Sequence, residues 1–141
     1  MTKMMFTKPF TQQEAIPEAG IERAVDILKT GRLHRYNLLP DEAGEAAALE
    51  MEYAEWQGAD YCVACTSGGY AIQLGLRVCG VEPGDKVLAN AYTLAPVPGA
   101  IHNVGGMPVL VDIDENYHID LDDLAAKATE SGAKYLLLSY M

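Results

Sequence analysis

Apolar residues recur at two spacings along this chain, and the changes between them mark its elements. From Pro17 to Thr30, Ile21, Ala24, Val25 and Leu28 follow the i, i+3, i+4, i+7 spacing of an amphipathic helix. A proline is tolerated in the first turn, and Gly31 is suited to end the helix. A second helix is predicted over Asp41 to Gln57, with Gly58 beyond its end. Ala46, Leu49, Tyr53 and Trp56 form its buried stripe, and Glu42, Glu45, Glu50, Glu52 and Glu55 its solvated face. The aromatic stripe reads as core rather than as a cofactor box. Tyr61 to Cys65 is a short apolar run of a length that suits a buried strand. The turn Thr66-Ser67-Gly68-Gly69 follows, then a stretch from Tyr70 to Cys79 in which only Gln73 and Arg77 are polar. Those two share one narrow helical face, which predicts a helix buried on its other sides.

The remaining elements follow in short order. Val81 to Asp85 reads as a turn, with Pro83 then Gly84 as a type II turn prefers. Lys86 to Asn90 is a short strand, and Ala95 to Val104 a helix with Pro96 and Pro98 in or near its first turn. Gly105-Gly106 ends that helix. Met107 to Val111 is a strand closing on Asp112-Ile113-Asp114. Asp120 caps a helix whose buried face is Leu121, Leu124, Ala125 and Ala128, and Gly132 terminates it. Lys134 to Tyr140 is a last apolar strand, and residues 1–12 read as a loosely held arm.

From residue 61 onward the order is strand and helix in alternation. That predicts an α/β fold: a mainly parallel sheet with helices on both faces. Residues 1–60 supply the arm and N-terminal helices, and 61–141 the alternating core, with no internal repeat and no obvious linker. Ligands in such folds sit at the carboxyl ends of strands. Thr66 to Tyr70 and Asn90 to Leu94 meet that description. A glycine turn opening a helix presents unpaired N–H groups and the positive end of the helix dipole to an anion. Gly68 and Gly69 let a phosphate come close to the backbone. Many such turns bind nothing, and this one carries neither the dinucleotide spacing nor the Gly-Lys-Ser/Thr of a P-loop.

Composition narrows the field. The chain has 141 residues, half of them apolar, enough for one domain with a real core. A net charge of −10 argues against general nucleic-acid or anionic-membrane binding. No stretch reaches the length of a membrane span and the start carries no signal-peptide core, which reads as a cytoplasmic protein. Cys62 and Cys65 form a C-x-x-C inside an apolar run, where strand geometry points them to opposite faces. They and Cys79 read as buried thiols, and no metal site is expected. Arg32, His34 and Arg35 make the dense basic cluster of an acidic chain, either a loop meeting an anionic ligand or a solvated connector.

The stretch from Thr66 to Asp114 resembles the DegT/DnrJ/StrS family of sugar aminotransferases, which depend on pyridoxal 5′-phosphate (PLP). The resemblance lies in the turn Thr66 to Tyr70, the Gly-x-x-Pro-Gly-Asp-x-Val segment Gly80 to Val87, the Tyr-Thr-Leu segment Tyr92 to Leu94, and Gly105 to Asp112. With the helices before them, the match covers about Pro17 to Met141. It implies the large domain of the fold-type I PLP transferases, in a homodimer with sites at the subunit interface. Ser67, Gly68, Gly69 and Tyr70 would hold the cofactor phosphate. Leu94 stands where the family has an aromatic residue stacked on the cofactor ring, and Tyr92 is the other candidate. The loop GRLHRYN falls at the family's substrate-facing segment, so Arg32, His34, Tyr36 and Asn37 are substrate-side candidates.

The family's Schiff-base lysine has no match in this chain. Lys86, Lys127 and Lys134 fall at a strand start, a helix face and a strand start, and read as solvated. The chain therefore reads as the N-terminal portion of an interrupted domain. The complete protein would move an amino group from an amino acid such as glutamate to a keto-sugar, often nucleotide-linked. Three alternatives stand beside it: a non-catalytic chain that needs a complementary partner, a PLP-dependent sugar dehydratase, and an unrelated nucleotide-binding α/β domain.

Overall fold

The computed structural model describes residues 13–36, 38–39 and 43–139. It divides into two compact units, residues 1–64 and 65–141.

The first unit contributes α1 (Glu18–Thr30) and α2 (Glu45–Gln57). Each ends on the glycine marked in the sequence, Gly31 and Gly58. The predicted start of α2 at Asp41 lies outside the described residues. Arg23 on α1 forms an ion pair with Glu45 at the start of α2. Glu50 departs from its expected place on a solvated face. Its carboxylate accepts from Arg35 Nη2 at 2.7 Å and from the Ala64 N–H at 2.7 Å, and its side chain is 16% exposed.

The stripe expected to be buried on α2 is not. Ala46 is half-buried, Leu49, Tyr53 and Trp56 are exposed, and Ala54 is the residue of α2 that is buried. The α1 stripe of Ile21, Val25 and Leu28 is exposed too. Among the described residues of this unit the two helices have no third layer, and two helices alone cannot cover both stripes. Tyr61–Cys65, expected as a strand, does not form one and lies outside the three-stranded sheet, and Tyr61 and Val63 are exposed. An apolar run states a preference for burial, whereas a strand also needs an edge to pair with.

The second unit holds α3 (Gly68–Val78), β1 (Lys86–Asn90), α4 (Pro96–Asn103), β2 (Met107–Val111), α5 (Leu121–Ser131) and β3 (Tyr135–Leu137). The strands form a parallel sheet in the order β2-β1-β3, as the alternation predicts. Val87 lies opposite Pro108 on one side and Tyr135 on the other. β1 is the central strand, and its Val87 to Asn90 are all buried. Its Val87 and Ala89 join Leu76 of α3 and Ala100 and Ile101 of α4 in the core, with Val81 and Val104 beside them. Between α3 and β1, Gly84 takes φ +93° and the Asp85 N–H donates to the Glu82 carbonyl at 3.0 Å, the geometry of the predicted type II turn.

Several burial expectations fail here for one reason. On α3 only Leu76 is fully buried, while Val78 is 87% exposed and Cys79 is exposed rather than a buried thiol. Cys62 and Cys65 are half-buried. On α5, Leu124 and Ala128 are half-buried but Leu121 and Ala125 face solvent. Each helix rests one side on its neighbours, and among the described residues no further layer covers the other. Two lysines read as solvated are tethered: Lys86 Nζ donates to the Ser131 carbonyl at 3.2 Å, and Lys127 pairs with Asp123 at 2.7 Å. Lys134 is exposed, as expected. No described helix is long and apolar enough to cross a membrane.

Candidate functional site

Ser67 is the N-cap of α3. Its extended backbone lets Oγ accept the Tyr70 N–H at 3.2 Å. The Tyr70 amide is thereby engaged within the turn. The Gly68 and Gly69 amides have no partner among the described residues. A Cβ placed on Gly68 would meet nothing within 4 Å, so this backbone face is open. A Cβ on Gly69 would lie 3.6 Å from Pro96 Cβ, which sets the helix opening against the first residue of α4. Two adjacent N–H groups, a capping hydroxyl whose own proton is uncommitted, and the helix dipole suit a phosphate.

Two residues before Pro96 stands Leu94, 58% exposed, and Tyr92 is 43% exposed. This segment leaves the carboxyl end of β1 through Asn90, which is 3% exposed. Asn90 Nδ2 donates to the Tyr92 carbonyl at 2.6 Å and to the Ser139 carbonyl at 3.0 Å. Its Oδ1 accepts the Ser139 N–H at 3.1 Å. The Thr93 and Ser139 hydroxyls are hydrogen-bonded to each other. A buried polar group with every bond made fixes its neighbours firmly. Here it ties the ends of β1 and β3 to the Tyr92–Leu94 segment.

Across from that segment, the Tyr117 ring meets the Tyr92 ring at 4.9 Å between centroids, tilted by 40°. A cleft of about 210 Å³ lies beside it, lined by Asn90, Asn116, Tyr117, His118 and Ser139 among others. Asn90 closes an apolar strand with a polar side chain, a faint sequence signal. Tyr117 had none, since it sits in a polar turn and meets Tyr92 only through the fold.

The substrate-side candidates belong to the first unit. Arg32, His34 and Arg35 line a cleft of about 420 Å³ with residues of α1 and the start of α2. The His34 and Tyr36 rings stack at 5.2 Å. Asn37 lies outside the described residues. Arg35 is committed to Glu50: that bond raises the guanidinium further above its ordinary value and holds the Glu50 carboxyl below the usual range. The basic cluster is thus partly neutralised from within the chain. Among the described residues no group of acidic, histidine or cysteine side chains is arranged to hold a metal ion.

Residues 14–138 match the sequence profile of the DegT/DnrJ/EryC1/StrS aminotransferase family. The chain is 35% identical over 113 residues to UDP-2-acetamido-2-deoxy-3-oxo-D-glucuronate aminotransferase of Pseudomonas aeruginosa, covering 79% of this chain and 29% of that protein. It is 32% identical to the UDP-N-acetyl-3-dehydro-alpha-D-glucosamine 3-aminotransferase of Acidithiobacillus ferrooxidans, covering 77% of this chain and 31% of that protein. In structure it is similar to Spr1654 of Streptococcus pneumoniae, described as a sugar aminotransferase and solved in its PLP form. The TM-score is 0.74 at 30% identity, over 94% of this chain and 32% of that one. The same protein in its PMP form gives 0.73. The chain thus spans under a third of the length of these relatives.

Proposed function

Because the chain belongs to the DegT/DnrJ/EryC1/StrS aminotransferase family, we propose that it carries the phosphate-holding and ring-covering elements of an aminotransferase acting on a nucleotide-linked keto-sugar. PLP is the cofactor of this family. When bound, it supplies the electron-withdrawing ring and the carbon that carries an amino group from donor to acceptor. The residues of this chain bind and orient. Gly68 and Gly69 donate their N–H groups to the phosphate, Ser67 adds its hydroxyl, and Tyr70 completes the capped turn. Tyr92 or Leu94 covers the ring. Arg32, His34, Tyr36 and Asn37 face the sugar substrate, and an amino acid is the donor. The keto-sugar aminotransferases among the relatives support that substrate class.

The observation that carries this reading is the pair of adjacent, unpartnered amides at the open start of α3. Gly69→Pro removes one of them where proline is tolerated, in the first helical turn. A hydrogen bond to a charged group contributes about 1.5–3 kcal/mol, so affinity for pyridoxamine 5′-phosphate should fall roughly tenfold or more. Titration calorimetry on the chain measures it, and this ligand has no aldehyde to react with surface lysines. Unchanged affinity would sink the phosphate assignment.

A second reading has its own observation. Leu49, Tyr53 and Trp56 on α2 and Ile21, Val25 and Leu28 on α1 are exposed. Apolar surface of this kind marks an interaction site, which supports function as a dimer or beside a complementary chain.

A further inference from the structure

Tyr117 is the one described non-glycine residue with a positive φ, +65°. That region is costly for a bulky side chain and is usually given to glycine or asparagine. Burial does not account for it, since Tyr117 is 64% exposed. The turn that imposes it is closely built. Asp114 Oδ1 accepts the N–H groups of Asn116 at 2.8 Å and His118 at 2.9 Å. The Tyr117 N–H donates to the Asp114 carbonyl at 3.1 Å, and Asp114 N–H to the His118 carbonyl at 2.8 Å. Ile113 and Ile119 close the base as an antiparallel bridge. The result is a rigid loop, just past the carboxyl end of β2, that sets an exposed aromatic ring against Tyr92. Tyr92 is held from the other side as well, its carbonyl taken by the buried Asn90.

We propose that Tyr92 is the side chain that covers a planar heteroaromatic ring in this site, and that Tyr117 is the residue that positions it. Leu94 is aliphatic and offers no stacking energy. Tyr92 has a fixed backbone and a ring braced by a second ring, so it gives up little freedom when a flat ligand packs on it. Strain retained in an exposed loop is explained when it serves such positioning. The inference rests on the cofactor reading above and deepens it, because it assigns the ring-covering role left open there.

The test separates ring from phosphate. Affinities of the chain for pyridoxamine 5′-phosphate and for inorganic phosphate are measured with Tyr117 intact, with Tyr117→Gly and with Tyr117→Phe. Glycine relieves the positive φ, so the thermal midpoint should hold or rise while the ring is lost. Affinity for pyridoxamine 5′-phosphate should then fall roughly three- to tenfold, the scale of an aromatic contact. Inorganic phosphate should bind as before, and Tyr117→Phe should restore the loss. The Tyr92 ring resonances should shift in Tyr117→Gly and stay in Tyr117→Phe, a readout that needs no ligand. Unchanged pyridoxamine 5′-phosphate affinity in Tyr117→Gly overturns the proposal. So does a loss matched by inorganic phosphate and by a lower thermal midpoint, which marks a merely structural residue. Failure of the phosphate assignment reads differently: Gly69→Pro then leaves both affinities intact while the Tyr117 effects persist. An intact chain that binds neither ligand overturns both.

Discussion

Gly105 adopts φ +86° and sits against the turn before β1. A Cβ there would lie 2.9 Å from Pro83 Cβ and 3.0 Å from Pro83 Cα, and a backbone atom cannot swing away. The same turn is bonded to it, since the Gly84 N–H donates to the Gly105 carbonyl at 2.8 Å. Gly105→Ala therefore combines a forbidden backbone conformation with a collision. It should cost about 2–4 kcal/mol, read as a lower midpoint in urea unfolding. The glycine pair was legible as a helix end. The approach of Pro83, more than twenty residues earlier, was not, because it exists only once β1 and β2 are paired. The same divide holds for Asn90 and Tyr117, whose roles come from Ser139 and Tyr92.

Among the elements, β1 and β2 occupy the residues their sequence marks, and α5 begins at the predicted cap. Asp120 accepts from the N–H groups of Asp122 and Asp123, a local bond with a local signal. Asp123 carries a longer-range one. Its carboxylate accepts the Asp112 N–H at 2.7 Å and pairs with Lys127, and these hold its pKa below the usual carboxylate range, the Asp112 bond first. With the folded pKa below the unfolded value of about 3.9, this contribution is complete above that value. It is lost as pH falls through the folded pKa. Asp123→Asn should therefore lower the thermal midpoint at pH 7 and shrink its dependence on pH between about 5 and 3. Equal pH slopes for the two proteins would refute the assignment. The segment Tyr61–Cys65 shows the opposite case, a run whose composition suits a strand but which does not join the sheet β2-β1-β3.

Across the whole molecule, burial is uneven. The core named above belongs to the unit from residue 65 onward, around β1 and α4. In the first unit α1 has no buried residue and α2 has Ala54. Local stability follows contact with a core. Amide exchange should therefore be slowest in β1 and α4 and faster by orders of magnitude in α1 and α2, read by deuterium uptake and mass spectrometry. Comparable protection in α1 and β1 would contradict this distribution.

What the sequence determined by itself was local or periodic. The spans of β1 and β2, the type II turn at Pro83-Gly84, the cap at Asp120 and the parallel α/β class all follow from residue preferences and spacing, whereas the last strand, expected over Lys134 to Tyr140, is Tyr135–Leu137 among the described residues. The family was legible for the same reason, because its motifs are short segments in a fixed order. Tertiary structure decided which apolar faces are covered, that Glu50 is an anchor rather than a solvated charge, that Gly105 faces Pro83, and that Tyr117 meets Tyr92. These depend on distances between residues far apart in the chain. Periodicity fixes the direction a side chain takes from its own element, and only packing fixes what stands there to receive it.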